Sequence, residues 1–333
     1  MTVPAPLVSE AEAETFALAQ WGIAGTAKLL TGERDRNFRL RATDGREYLL
    51  KFANPAESQP VTDMQIAALG HIAARDPGLA VPRMVALPNG AMEALHGPIR
   101  VRLLTYLAGI PLREATRSAA QRFACGAALA RLGLALQGFT HPASATPLIW
   151  DLAHTLRLRA VLDAVPDAHA QARIAAILDD FEAHITPVLP GLRRQVLYND
   201  MNTGNVLIDP ANHDIVAGII DFGDLVTTAL AIDVAVGATS QINDLATIPT
   251  DIGDFVRGFQ AIRPLLPAEI AVLPLLIACR LAMSLVLQAW HRQSHPDNPH
   301  YRPITDAELY RRLAMIDTVC GPDTIAAIRH AGS

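Results

Sequence analysis

The alternation of hydrophobic and polar positions changes rhythm along the chain. Runs 37–42 and 46–53 mix apolar and polar residues on either side of Thr43-Asp44-Gly45. Asp-Gly tolerates the positive φ of a tight turn, so this stretch predicts a β-hairpin. Residues 63–74 switch to helical spacing, with Met64, Ala67, Leu69, Ile72 and Ala73 on or near one side. Residues 81–85, 91–95 and 99–104 read as short strands, punctuated by Pro82, Pro88-Asn89-Gly90 and Gly97-Pro98. From about residue 115 the pattern is helical, over 118–138, 168–185, 252–261, 268–292 and 306–320. A strand-rich island, 195–224, interrupts it and carries many of the polar residues. Ahead of all of these, Ser9 and Glu12 have the spacing of a capping box that opens a helix.

This order predicts an α+β chain of two parts: a small N-terminal lobe over 1–105, with an antiparallel sheet and one inserted helix, and a larger helical lobe over 106–333 around a short β island. Composition agrees with packed lobes, since 50% of the 333 residues are hydrophobic and 18% charged. A formal charge of −5 offers no basic face to phosphate backbones, so no nucleic-acid partner is expected. Cys125, Cys279 and Cys320 lack C-x-x-C spacing and read as buried thiols of a reducing compartment. Residues 1–20 show neither a basic nor an apolar leader region, and a cytoplasmic setting is the expectation. The most apolar stretch, 271–290, is interrupted by Pro274 and Arg280, which favours a buried bundle helix over a membrane span.

The island carries the chemistry. It begins Tyr198-Asn199-Asp200-Met201-Asn202-Thr203-Gly204-Asn205 after one apolar run, and a second apolar run ends in Ile220-Asp221-Phe222-Gly223-Asp224. Phosphoryl transfer needs oxygen ligands for Mg²⁺ and a carboxylate that positions the attacking hydroxyl. An Asp, an Asn five residues on and a later Asp-Phe-Gly supply these parts. Asp200 would then be the catalytic base, with Asn205 and Asp221 as metal ligands. Each half alone is a common polar turn; in this order, each after an apolar strand, they support one another.

Upstream, Lys51 stands mid-strand, where a kinase places the lysine that holds the nucleotide phosphates. It is one of only two lysines, with Lys28, among 28 basic residues. Asp63, the only carboxylate of 63–74, is its expected acidic partner. The polar connection 31–38 sits where a phosphate-covering hairpin would be, which brings in Arg34 and Asn37. Thr105 and Leu107, in the crossover after the last strand, would meet the nucleotide base through their backbone.

With these residues assembled, the chain resembles the aminoglycoside phosphotransferase and choline kinase family, small-molecule kinases with a bilobal, protein-kinase-like fold. The family signature is H-G-D-x-x-x-x-N followed by I-D-[FW]-[GE]; here Tyr198 replaces His and Asn199 replaces Gly. The His of the family mainly braces the loop. Within the family the closest likeness is to the hydroxylysine kinase branch, through Asn199-Asp200-Met201-Asn202, Ile220 to Asp224, the run from Glu33 to Phe38, and Trp150-Asp151-Leu152.

That resemblance implies ATP or GTP as donor, Mg²⁺ as cofactor, and a hydroxy amino acid or amino alcohol as acceptor. Trp150 and Asn202 join the acceptor site on this basis. Asp224 and Asp151 could bind an ammonium group and Arg280 a carboxylate. An aminoglycoside, choline or homoserine acceptor is the alternative, and beyond it a nucleotide-binding pseudokinase or a protein kinase. Retention of Lys51, Asp200, Asn205 and Asp221 speaks against the pseudokinase. The absence of H-R-D and A-P-E sequences speaks against the protein kinase.

Overall fold

The structure is a computed structural model that describes residues 5–30, 32, 35–296 and 302–331. Its contacts divide the chain into two compact units, Met1–Ala108 and Gly109–Ser333.

The first unit opens with helix α1 (Glu10–Trp21), and the expected capping box is formed: Ser9 Oγ accepts from the Glu12 amide while the Glu12 carboxylate takes the Ser9 amide. Strands β1 (Gly25–Leu30), β2 (Arg36–Ala42) and β3 (Glu47–Phe52) follow, then helix α2 (Gln59–Arg75) and strands β4 (Ala94–His96) and β5 (Ile99–Thr105). They form one antiparallel sheet in the order β1-β2-β3-β5-β4. The β2–β3 turn is the hairpin expected from Asp44-Gly45, and Gly45 has φ +85°. One sheet face buries Phe38, Leu40, Leu50, Phe52, Val101 and Leu103 against Ala13, Ala17 and Trp21 of α1. Each buried Phe or Leu there contributes about 1.5–3 kcal/mol. Residues 81–85 do not form the expected strand. Only Met84 makes a bridge, to Leu104, because Val81-Pro82 interrupts the donor pattern of a ladder. Helix α2 begins four residues earlier than its periodicity suggested, with Ser58 as N-cap and Pro60 in its first turn.

The second unit carries β6 (Ile110–Pro111), helix α3 (Ala119–Ala135), a 3₁₀ segment (Leu152–Ala164) and helix α4 (Ala168–Asp180). Strands β7 (Arg194–Leu197), β8 (Val206–Ile208), β9 (Val216–Ile219) and β10 (Val226–Ala229) come next. Helices α5 (Leu230–Thr239), α6 (Ile248–Ile262), α7 (Pro267–Ser294), α8 (Asp306–Val319) and α9 (Pro322–His330) complete it. Two small sheets, β10-β7 and β6-β8-β9, form the β island. Helices α3 and α6 meet closely at Gly126 and Gly258; a Cβ on either would lie 2.0 Å from a carbonyl oxygen of the other helix. Helix α7 has the length and composition of a membrane span, yet 72% of its most apolar window is buried inside the protein. Helix α5 was not expected: its residues from Leu230 to Ala238 are all buried, so no polar face marks a helical period.

Candidate active site

Two strand pairs set the geometry of the polar loop. Strand β7 pairs with β10, Leu197 opposite Val226, and hands the chain to Tyr198-Asn199-Asp200. Strand β8 pairs with β9, and the Ile220 amide donates to the Asn205 carbonyl at 2.9 Å. That bond sets Asn205, at the end of the loop, beside the residue that precedes Asp221.

Inside the loop the Asp200 carboxylate is held by two amides. Asn202 Nδ2 donates to Oδ1 at 2.9 Å and Asn205 Nδ2 to Oδ2 at 2.6 Å. Asn202 Oδ1 in turn accepts from the Gly204 and Asn205 amides at 2.7 and 3.2 Å. Both ends of the Asn202 side chain thus hold the loop, and the second N–H of its amide is not used in these bonds. The Asp200 carboxyl is pushed up to about 7, chiefly by burial and by the like charge of Asp224, while the Asn202 bond and Arg280 pull it down.

Tyr198 and Asn199, the two departures from the family signature, have physical explanations. Tyr198 is fully buried; its hydroxyl donates to the Ile220 carbonyl and its ring meets Phe222 edge-on with centroids 5.3 Å apart. One side chain thus ties the Asp200 loop to the Asp221 segment. Asn199 has φ +60°, the left-handed region where glycine sits without cost and where asparagine is among the best-tolerated alternatives. Its amide donates to Asp233 Oδ1 at 2.7 Å.

Asp233 is a residue that the sequence analysis missed. It lies in α5, wholly buried, with its carboxyl pushed up to about 7 by burial against the opposing pull of the Asn199 amide and Arg263. The signal was present, since Asp233 is the single charge in the apolar run from Ala229 to Ala238.

Asn205 and Asp221 fit a hard cation. With Asn205 Nδ2 bound to Asp200, its carbonyl oxygen is the atom left to coordinate. Asp221 is exposed at φ +61° directly after β9 and Ile220, with Oδ1 accepting from the Gly223 amide at 3.2 Å. No group of three His, Cys, Asp or Glu converges among the described residues. Two oxygen donors, completed by phosphate and water, match the way Mg²⁺ is held at nucleotide sites.

Near the loop, Arg280 of α7 lays its guanidinium over the Trp150 ring at 4.8 Å. Asp151, expected at the acceptor, is 2% exposed; its Oδ1 takes the Ala153 amide at 3.0 Å and the Thr228 hydroxyl at 2.9 Å. It is a brace between the 3₁₀ segment and β10, a correction to the expected ammonium contact.

In the first unit, Lys51 Nζ pairs with Asp35 Oδ2 at 2.7 Å. Asp35, not Asp63, is its acidic partner, because Asp35 leads directly into β2, where Asn37 stands opposite Lys51 in the ladder. The Asp35 carboxyl lies below the usual range: burial opposes this most strongly, and the Lys51 charge and hydrogen bond outweigh it. Across the other edge of β3, Arg102 is opposite Lys51 and is held by Gln65 at 2.8 Å and Glu57 at 3.5 Å. The Thr105 amide donates to the Arg83 carbonyl, so it is not open to a nucleotide base as expected. Leu107 follows in the connection after β5, and Arg34 lies outside the described residues.

A β-rich unit, a helical unit and an Asp-Asn loop followed by Asp-Phe-Gly define a class, the small-molecule kinases of protein-kinase-like fold. Solved structures agree on the fold. A microcompartment-associated aminopropanol kinase matches at TM-score 0.68 and 16% identity, covering 95% of this chain and 97% of that one. A spectinomycin phosphotransferase in complex with ADP and spectinomycin matches at 0.64 and 12%, covering 98% and 99%. The chain belongs to the Phosphotransferase enzyme family, whose pattern spans residues 26–273. It is similar to hydroxylysine kinase of Mus musculus, at 27% identity over 93% of this chain and 90% of that protein. Homoserine kinase of Methylorubrum populi is 29% identical over 85% and 86%. The resemblance drawn from the two boxes is borne out, and the chain is a small-molecule kinase that phosphorylates an alcohol.

Proposed function

We propose that this kinase transfers the terminal phosphate of Mg-bound ATP or GTP to the hydroxyl of hydroxylysine or a closely similar hydroxy amino acid. The observation that carries the reading is the Asp200 carboxylate, clasped by Asn202 and Asn205 in the loop that also presents a metal-binding amide oxygen. The hydroxylysine and homoserine kinases among the relatives support the acceptor class.

Asp200 orients the acceptor hydroxyl and takes its proton as the oxygen attacks. A carboxyl near 7 suits that task, since it is ionised enough to accept a proton and basic enough to pull on one. Asn202 and Asn205 fix both carboxylate oxygens, which keeps the accepting lone pair aimed. Asn205 and Asp221 would hold Mg²⁺, which when bound neutralises the charge of the transferring phosphate. Lys51, kept straight by Asp35, supplies a compact positive charge for the nucleotide phosphates, with Asn37 beside it.

A nucleotide-consumption screen tests this with ATP and GTP against hydroxylysine, homoserine, serine, ethanolamine, choline and aminoglycosides. Turnover is expected with hydroxylysine, and Asp200→Asn should lower kcat by about 10²–10⁴-fold. Turnover that survives Asp200→Asn refutes the mechanism, and turnover confined to aminoglycosides or choline refutes the acceptor.

A further inference from the structure

Resting on that reading, we propose that Arg280 is the carboxylate anchor of the acceptor site, so that the enzyme selects a hydroxy amino acid over the amino alcohol that differs from it only by that carboxylate. Arg280 is the single charged residue between Ala271 and Trp290 of α7 and is only 9% exposed. A guanidinium so placed is costly unless something answers its charge.

Within the protein that answer is incomplete. Nη1 donates to the Trp150 carbonyl at 3.3 Å and reaches the Met283 sulfur at 4.0 Å, and the plane lies on the Trp150 ring. No carboxylate among the described residues closes an ion pair with it. The edge formed by Nε and Nη2, the pair that matches a carboxylate two bonds at a time, donates to no described residue. The small accessible part of the residue is what a ligand can reach.

The surroundings say which ligand. Burial pulls the Arg280 guanidinium below its ordinary pKa, and the charges of Asp200 and Asp224 act against it without offsetting it. A buried cation therefore stands within the field of two carboxylates without touching either. A zwitterionic acceptor with a hydroxyl complements this pattern: its carboxylate meets Arg280, its ammonium lies in the field of Asp224, and its hydroxyl comes to Asp200. The anchor is also rigid. Trp150 is followed directly by Asp151, whose bonds to Ala153 and Thr228 tie it to β10, the partner of the strand that leads into the Asp200 loop.

The test compares acceptors in pairs that differ only by the carboxylate: homoserine with 3-aminopropan-1-ol, and hydroxylysine with 1,5-diaminopentan-2-ol. The unmodified enzyme should favour the carboxylated member by about ten- to a hundredfold in kcat/KM, mostly through KM. In Arg280→Gln the preference should fall to within about threefold of parity. Arg280→Lys, which keeps the charge and loses the fork, should retain part of it and carries the test if the Gln variant fails to fold. An unmodified enzyme without preference, or a folded Arg280→Gln that keeps it, overturns the inference and leaves the kinase reading standing. If neither pair is turned over, the hydroxy amino acid acceptor fails instead, and the family assignment stands. Equilibrium titration of the same four compounds then decides on Arg280: tighter binding of the carboxylated members, lost in the variants, upholds the anchor, and equal binding overturns it.

Discussion

Replacing Asp233 by asparagine keeps an oxygen for the Asn199 amide and removes a buried ionisable group, so it should flatten the dependence of stability on pH. The Asp233 carboxyl rises from 3.8 to about 7 in the folded protein. The folded state therefore binds this proton more tightly than the unfolded chain. The resulting stabilisation is fully present below pH ~4 and is lost as the pH rises through about 7. A difference of about three pKa units at about 1.4 kcal/mol each sets an upper bound of about 4 kcal/mol. Asp200 has the same sign and remains in the variant, so the slope should be reduced and not abolished. Urea unfolding followed by circular dichroism near pH ~5 and ~8 reads the effect, with the difference between the two proteins cancelling the other titrating groups. Asp233→Asn should lose less stability between the two pH values than the unmodified protein does. Equal losses would show that the Asp233 carboxyl is not raised toward 7 in the folded protein and would refute the reasoning.

Three further outcomes follow from the same site. Tyr198→Phe strands the Ile220 carbonyl and should cost about 1–3 kcal/mol in urea unfolding and lower kcat; unchanged stability would remove the brace. Asp35→Ala should raise KM for the nucleotide several-fold by freeing Lys51, while Asp63→Ala changes it by less than about twofold; the reverse order would restore Asp63 as the partner. The pH profile of kcat/KM should rise through about 7 as Asp200 ionises, since only the carboxylate accepts the hydroxyl proton; a profile flat from pH ~5 to ~9 would contradict that role.

Local chemistry was readable from the sequence where neighbours in the chain decide it. The Ser9–Glu12 box and the Asp44-Gly45 turn depend on contacts three or four residues apart, and both formed as expected. The Asp200, Asn205 and Asp221 spacing was readable because two apolar strands flank it. What stayed hidden depends on register or on burial from every side. Asp35 reaches Lys51 only because β2 and β3 align Asn37 with Lys51, and sequence proximity to α2 pointed to Asp63 instead. Helix α5 hides its period because no face of it meets water, and Asp233 went with it. Asp151 looked like a ligand contact because a polar side chain in a loop could face outward, whereas it is buried and its hydrogen bonds hold the chain.

Helix α7 is also the segment whose length and composition fit a bilayer. The charge at the centre of its twenty residues from Ala271 to Trp290 is Arg280. On insertion scales an arginine at that depth costs about 2.5–3.5 kcal/mol. A neutral, apolar replacement would remove that cost from a segment that already has the length and composition of a membrane span, and would leave burial inside the helical unit as what sets it apart from one.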